Sequence, residues 1–279
     1  MYCDLHTHSV HSDGSFTPTQ IIARAKELNL TVALTDHNTV SGLPEFMAEA
    51  EKQGVTAVPG IEFSTACGKK ELHLVGLFVA PEHYDTLEQV AQEFHALKDA
   101  SNIQLVQRLS AAGYPIDYDE IRRRNPGGNL NRAHIAAELL RLGCVDSVED
   151  AFSRLLKEEH GYYVPCRRLD IREAIGLLRS IGAVPVLAHP LKDLTEAELR
   201  QLLPELIRSG LLAMEVQHES YDDEAIALAT SIAKEFGLLP SGGSDFHGHV
   251  KPDVHLGSGR GNLRIPLGFY HDLLAKCKE

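Results

Sequence analysis

The chain has 279 residues, of which 43% are hydrophobic and 24% charged, and a formal net charge of −12 with its histidines counted as neutral. This composition is typical of a globular protein with a sizeable core, and the acidic balance disfavours binding to long nucleic acids. Five scattered cysteines without a Cys-x-x-Cys pair argue against a disulfide framework or a cysteine-rich zinc site. The absence of a signal-peptide pattern and of an apolar run of roughly 20 residues predicts a cytoplasmic protein without membrane association.

The first part of the chain alternates between strand and helix patterns. A short strand is predicted at the N-terminus, where period-2 alternation would place His6 and His8 on one face. Thr17 and Pro18 mark a helix start, because threonine is a good N-cap and proline suits the first helical position. Further strands are predicted at 31–35, 56–61 and 71–79, and a helix at 43–53. We expect these strands to form a parallel sheet with right-handed crossovers.

Between residues 84 and 157 the patterns are helical alone. An apolar stripe starting at Leu87 extends towards Leu109, a loop is predicted at 126–129, Asn131 opens a helix through Leu142, and another helix ends near Leu156. We therefore predict a barrel domain at 1–83 and 158–279 and a helical insertion at 84–157. The alternation then resumes with strands at 183–188, 213–216 and 238–241, and helices at 171–180, 196–209 and 223–236.

Candidate ligand side chains recur where the predicted strands end. They are His6, His8, Asp36, His37, Glu62, His189, Asp245 and His247. The C-terminal ends of the strands of an α/β barrel converge at one face, and imidazoles and carboxylates are common ligands of divalent metals. The sequence therefore predicts one metal-binding pocket at that face. Eight histidines lie outside these clusters, and most of them are interpreted as surface residues: His11, His83, His95, His160, His218, His249, His255 and His271.

Several of these residues lie in motifs that resemble the PHP (polymerase and histidinol phosphatase) family. The motifs are DLHTHS at 4–9, TDHN at 35–38, PGIE at 59–62, AHP at 188–190 and GSDFH at 243–247, together with His73 and His134. The resemblance implies an α/β fold, a distorted (β/α)7 barrel related to the amidohydrolases, with two or three divalent metal ions. The chain length and the NRAH motif at 131–134 are most similar to the 3′,5′-nucleoside bisphosphate phosphatases and the exoribonuclease RNase AM.

The same resemblance implies three metal sites. His6, His8, Glu62 and Asp245 would hold the first ion, Glu62, His73 and His134 the second, and Asp13, His37 and His247 the third. Asp13 replaces a histidine of some relatives, and a carboxylate there favours Mn²⁺ or Mg²⁺ over Zn²⁺. We expect Mn²⁺, with Mg²⁺, Zn²⁺ and Fe²⁺ as alternatives. Asp36 is expected to orient a ligand imidazole rather than bind metal.

The implied activity is that of a metal-dependent phosphomonoesterase acting on the 3′-phosphate of nucleoside 3′,5′-bisphosphates through a metal-activated hydroxide. Glu62 would bridge two ions, and His189 would contact phosphate or protonate the leaving oxygen. Arg132 is expected to clamp a second phosphate, because guanidinium binds phosphate bidentately at a helix N-terminus, with Arg167 and Arg168 assisting.

Two alternatives use the same ions. One is a 5′→3′ exoribonuclease acting on short 5′-phosphorylated RNA, and the other is a small-molecule phosphatase similar to histidinol phosphatase. Amide hydrolysis and a non-catalytic module that supports a polymerase are disfavoured, because the ligand set looks complete and suits phosphate oxygens. The expected partner is a small phosphorylated nucleotide or short RNA, and the sequence indicates no obligate protein partner.

Overall fold

The structure is a computed structural model that describes residues 2–125 and 130–277, so the loop predicted at 126–129 lies outside the described residues. The chain packs as two units. The first comprises the residues up to Glu88 and those from Leu169 onwards, and the second is Gln89–Arg168. Within the described residues, no helix has the length and apolar character that crossing a membrane requires.

The first unit is built on a seven-stranded sheet in which the strands are ordered as they occur in the chain. The strands are β1 Tyr2–Asp4, β2 Leu30–Leu34, β3 Ala57–Cys67, β4 Lys70–Leu77, β5 Val184–Leu187, β6 Ala213–His218 and β7 Leu239–Gly243. β1 ends before His6, but the chain stays extended and pairs with the end of β7 and the residues after it. The Leu5 N–H donates to the Gly242 carbonyl at 3.1 Å, and the His8 N–H donates to Phe246 at 2.9 Å. These bonds nearly close the sheet into a barrel.

β4 departs from the predicted parallel arrangement, because it pairs antiparallel with both β3 and β5. Only Gly68 and Lys69 separate β3 from β4. A connection this short forms a hairpin, since a parallel crossover needs a dozen or more residues. The prediction of a wholly parallel sheet is therefore wrong at this strand. The reversal has a consequence for the site, since the beginning of β4 lies at the face where its parallel neighbours end.

The helices begin and end where capping residues allow. They are α1 Pro18–Leu28, α2 Leu43–Gln53, α3 Tyr84–Ala111, α4 Tyr118–Arg124, α5 Arg132–Arg141, α6 Val148–Ala151, α7 Ile171–Ser180, α8 Pro190–Asp193, α9 Glu196–Arg208, α10 Asp223–Phe236 and α11 Leu267–Cys277. In α1 the Thr17 side chain accepts from the Gln20 N–H, and Asn29 ends the helix in a left-handed conformation. The buried face of α1 carries Ile21 and Ile22.

Each unit has its own apolar core. Strand residues dominate the barrel core, among them Ala33, Val58, Val75, Val184 and Val186. In the second unit, α4, α5 and the second half of α3 bury residues such as Leu109, Ile121, Ile135 and Leu139, and Leu156 joins them from the helical turn Phe152–Leu156. The second unit is helical in its described residues, as the sequence patterns predict.

Candidate metal centre

Eight of the nine residues predicted to bind metal come together in the first unit, around the C-terminal ends of the parallel strands. His6, His8 and Asp13 follow β1, His37 follows β2, and Asp245 and His247 follow β7. Glu62 lies within β3, opposite Val75 of β4. His73 reaches the same face because it lies near the beginning of the reversed strand β4.

Glu62 is the hub of this centre. Its side chain is fully buried, and both carboxylate oxygens face imidazole nitrogens. Oε2 lies 2.9 Å from His37 Nδ1, 3.2 Å from His6 Nε2 and 3.3 Å from His8 Nε2. Oε1 lies 2.9 Å from His73 Nδ1 and 3.3 Å from His189 Nε2. A carboxylate with imidazole nitrogens beside each oxygen is suited to bridging two cations, since the same nitrogens can complete the coordination of each ion.

Two further carboxylates flank this hub. Asp245 Oδ1 lies 3.2 Å from His8 Nε2 and 3.8 Å from His6 Nε2. On the more exposed side, Asp13 Oδ1 lies 3.2 Å from His247 Nε2, and Asp13 Oδ2 lies 3.8 Å from His37 Nε2. The Asp245 backbone carbonyl accepts from His247 Nδ1 at 2.7 Å, which leaves Nε2 as the free ligand atom of that ring.

Several buried polar atoms of the centre have no hydrogen-bond partner within the described residues. They are His6 Nε2, both ring nitrogens of His8, His37 Nδ1, Glu62 Oε2, His189 Nδ1 and His218 Nε2. Unpaired buried polar atoms are costly, so their concentration in one place needs a further group to satisfy them. Imidazole and carboxylate donors that converge in this way fit divalent metal ions.

The titration behaviour reflects the same crowding. Burial and the neighbouring His37 lower the pKa of His8 to about 3, so that this ring is neutral and able to bind a cation. Burial would also lower the pKa of His73, but the Glu62 carboxylate raises it to about 10. Burial would raise the pKa of Glu62, yet the imidazoles of His37 and His6 hold it well below its usual range. The centre therefore keeps its bridging carboxylate ionised.

His189 and Asp245 hold their side chains in the centre with strained backbone. Their φ angles are +29° and +51°, in the left-handed region that residues other than glycine rarely adopt. Such conformations cost on the order of 1–3 kcal/mol each and persist where the surroundings enforce them. At His189 one of these surroundings is Glu215, whose Oε2 accepts the His189 backbone N–H at 2.7 Å.

Sequence reasoning missed Glu215 and misplaced His218. Glu215 is a buried carboxylate within β6 whose Oε1 accepts from His6 Nδ1 at 2.9 Å. His218, interpreted above as a surface residue, is fully buried with its ring centroid 5.0 Å from that of His189. β6 extends two residues beyond the predicted end at Val216, so His218 also stands at a strand end. A charged residue within an apolar strand was the available signal for Glu215.

Asp36 has a different role from the one expected. Its carboxylate accepts from the Ser9 N–H at 2.7 Å and from the hydroxyls of Ser9 and Ser12 at 2.6 Å each. These bonds are not to a ligand imidazole, so the expected orientation of a ligand ring by Asp36 is wrong. Asp36 instead braces the loop that connects His8 to Asp13.

The remaining predicted residues lie in the second unit or at its end. His134 is in the first turn of α5, where its Nδ1 lies 2.9 Å from Asn131 Oδ1. The Arg132 guanidinium donates to the Leu156 carbonyl at 3.0 Å and stacks 4.1 Å from the ring centroid of Tyr163. The Arg167 guanidinium lies 5.7 Å from the ring centroid of Phe94, and Arg168 ends the unit. Their assignment to metal and phosphate stays a prediction.

Comparison with known proteins identifies similar chains. A model of the PHP domain matches residues 4–147. A 5′-3′ exoribonuclease of Haemophilus influenzae is 32% identical over 88% of this chain and 89% of its own length. A 3′,5′-nucleoside bisphosphate phosphatase of Chromobacterium violaceum is 31% identical over 88% of this chain and 86% of its own. A crystal structure described as a metal-dependent phosphoesterase from Bifidobacterium adolescentis has a TM-score of 0.73 and 27% identity, and the match covers 98% of this chain and 96% of the other.

Proposed function

This chain belongs to the PHP domain family and is a metal-dependent phosphoesterase, and we propose that it removes the 3′-phosphate from nucleoside 3′,5′-bisphosphates. One observation carries the proposal: two buried carboxylates, Glu62 and Asp245, face imidazole nitrogens that have no hydrogen-bond partner in the part of the chain that the structure describes. Cations held there would attract a phosphate ester. The similarity to the Chromobacterium violaceum phosphatase supports a bisphosphate as the substrate.

We assign the first unit's residues to two or three divalent ions, with Mn²⁺ as the preferred metal. His6, His8, Glu62 and Asp245 would hold one ion, Glu62 and His73 a second, and Asp13, His37 and His247 a third. When bound, such ions supply Lewis acidity towards phosphate oxygens and lower the pKa of water. The mixed set of oxygen and nitrogen ligands suits Mn²⁺, and the Asp13 carboxylate favours a hard cation at the outer position.

His189 is assigned as the proton donor to the leaving 3′-oxygen. Its Nε2 lies 3.3 Å from Glu62 Oε1, and its Nδ1 lies 3.4 Å from Asp193 Oδ2. Burial would lower the pKa of His189, but the adjacent Asp193 and Glu62 carboxylates raise it. A protonated imidazole at the centre can give its proton to an alkoxide as the phosphate ester bond breaks.

The experiment that tests the substrate compares two compounds with added Mn²⁺. Phosphate release from adenosine 3′,5′-bisphosphate is measured beside nucleotide release from a short 5′-phosphorylated RNA. We expect faster turnover of the bisphosphate, with adenosine 5′-monophosphate as the product and no further loss of phosphate. Glu62→Gln is the control and should be inactive on both substrates.

The second candidate is a 5′→3′ exoribonuclease, which the similarity to the Haemophilus influenzae enzyme favours. Preferential release of 5′-mononucleotides from the RNA would replace the first proposal with this one.

Arg132→Ala tests the predicted phosphate clamp. It should raise KM for the bisphosphate more than KM for a monophosphate.

The role of His189 is tested by the leaving group. His189→Asn should slow hydrolysis of the bisphosphate by about 10²–10⁴-fold, the usual contribution of general acid catalysis. Its effect on p-nitrophenyl phosphate should be much smaller, because that leaving group departs without a proton. Equal losses on both substrates would exclude a proton-donating role.

A further inference from the structure

The carboxylate of Asp245 is divided between two environments. Oδ1 faces His8 Nε2 at 3.2 Å and His6 Nε2 at 3.8 Å, on the side of the centre. Oδ2 accepts from Lys251 Nζ at 2.6 Å and lies 3.6 Å from His218 Nε2. One oxygen is thus directed to the ligand imidazoles and the other to groups that the proposed chemistry has not used.

The His218 ring lies beside the second oxygen of Asp245 and contacts Ser220 through its other nitrogen. The Ser220 backbone N–H, which can only donate, lies 3.3 Å from His218 Nδ1. The Ser220 hydroxyl oxygen lies closer to the same nitrogen, at 2.8 Å, so that Ser220 holds the ring with its Nε2 on the side of Asp245 Oδ2. Because Lys251 donates to Oδ2, Oδ1 is the oxygen that faces the ligand imidazoles.

Lys251 is held in place by its backbone while its side chain stays accessible. Its N–H donates to the Gly248 carbonyl at 3.2 Å, and its own carbonyl accepts from Val254 at 3.0 Å. The side chain is 30% exposed, whereas that of Asp245 is 5% exposed. An ammonium group has three donors, and the bond to Asp245 uses one of them. Because the side chain is partly exposed, the other two are accessible to a second acceptor.

Arg260 differs from Lys251 in the number of carboxylates with which it pairs. Its Nε donates to Glu219 at 2.6 Å, and its Nη1 pairs with Asp253, so two carboxylates compensate one guanidinium. Within the described residues Lys251 pairs with a single carboxylate, that of Asp245, which is one of the proposed metal ligands. A cation held by Asp245 would offset the charge of this carboxylate, and the Lys251 ammonium would then be free to attract an anion.

We propose that Lys251 is a substrate-binding residue, which donates from its ammonium group to a phosphate oxygen of the substrate at the metal centre. The inference rests on the proposed function, because it requires a phosphate ester held next to Asp245. It adds a cation from the first unit to the recognition of phosphate and gives Asp245 two roles, as a metal ligand and as the anchor of Lys251. Lysine is a common phosphate-binding residue in proteins.

Inorganic phosphate is the probe for this proposal. It is titrated by calorimetry into Mn²⁺-loaded wild type, Lys251→Met and Lys251→Arg, and Mn²⁺ binding to each metal-free protein is measured separately. We expect Lys251→Met to weaken phosphate binding by about 10- to 100-fold, the usual range for a hydrogen bond to a charged group, with Mn²⁺ affinity changed less than about threefold. Lys251→Arg keeps the charge and should recover most of the phosphate affinity.

Lys70→Met is the matched control, since the Lys70 ammonium pairs with the half-exposed Glu198 at 2.8 Å. It should bind phosphate as the wild type does. Unchanged phosphate binding in Lys251→Met would overturn the proposal. An equal fall in phosphate and Mn²⁺ affinity would also overturn it, because Lys251 would then only hold Asp245 in place. A wild type that binds phosphate but leaves bisphosphates intact would instead refute the proposed function.

Discussion

Glu215→Gln tests how the ligand imidazoles are oriented. The two oxygens of Glu215 accept from His6 Nδ1 at 2.9 Å and from the His189 backbone N–H at 2.7 Å. When His6 Nε2 serves as a ligand atom, Nδ1 carries the proton, so both partners of Glu215 are donors. A carboxylate satisfies both. A glutamine of the same shape must turn its NH₂ group towards one of them.

The size of the effect follows from burial. Glu215 is 1% exposed, so water cannot reach the site. In Glu215→Gln, an NH₂ group that faces the His6 or His189 N–H would therefore have no acceptor. Such an unsatisfied buried group costs about 1–3 kcal/mol in the free energy of unfolding. The loss of a residue that orients a metal ligand lowers metal affinity by about 10- to 100-fold. Urea denaturation of the metal-free protein measures the first quantity, and calorimetric titration with Mn²⁺ measures the second.

The matched control is Glu205→Gln. Glu205 is a half-exposed carboxylate that pairs with Arg172 at 2.7 Å, and its loss should change stability by no more than about 0.5 kcal/mol. If Glu215→Gln unfolds like this control and binds Mn²⁺ as the wild type does, Glu215 does not orient His6 and the reasoning is wrong.

Three further predictions concern the metal ions, the ligand protons and the packing under the centre. A chelator should abolish phosphate release and lower the melting temperature, and Mn²⁺ should restore both. The reason is that an ion at a hundredfold excess over its Kd stabilises the folded state by about 2.7 kcal/mol. An unchanged melting curve would contradict this prediction. Mn²⁺ affinity should rise with pH, because the raised pKa of His73, about 10, means that binding displaces its proton. Calorimetry in buffers of different ionisation enthalpy counts the released protons, and pH-independent affinity would refute the assignment. Gly243→Ala should destabilise the protein by about 1–3 kcal/mol in urea denaturation, because the added Cβ would overlap His6. Gly268→Ala in α11 meets nothing within 4 Å and should be neutral or slightly stabilising, because alanine is the better helix former. Equal stabilities of these two variants would show that the packing at Gly243 is not tight.

The sequence was most informative about the residues that follow strands. Spacing and residue type identify two pairs of candidate ligands. His6 and His8 are two residues apart in an extended segment, and Asp245 and His247 are two residues apart after a strand. Their meeting at one face follows from a general rule of α/β barrels, so that local patterns predicted a single pocket, whereas the (β/α)7 barrel and the individual metal sites were implied by the PHP resemblance. The PHP resemblance rests on these same short motifs.

The tertiary structure alone decided which side chains become partners across the barrel. The reversal of β4 brings His73 to the centre from the beginning of a strand, which the expectation of a parallel sheet could not predict. Glu215 and His6 are 209 residues apart, and Lys251 reaches Asp245 through a turn that local patterning does not specify. Periodicity reports the face on which a side chain lies, whereas these hydrogen bonds depend on where distant strands and loops come together. The candidate metal ligands could therefore be predicted from the sequence. The groups that orient these ligands and compensate their charge could be identified only from the tertiary structure.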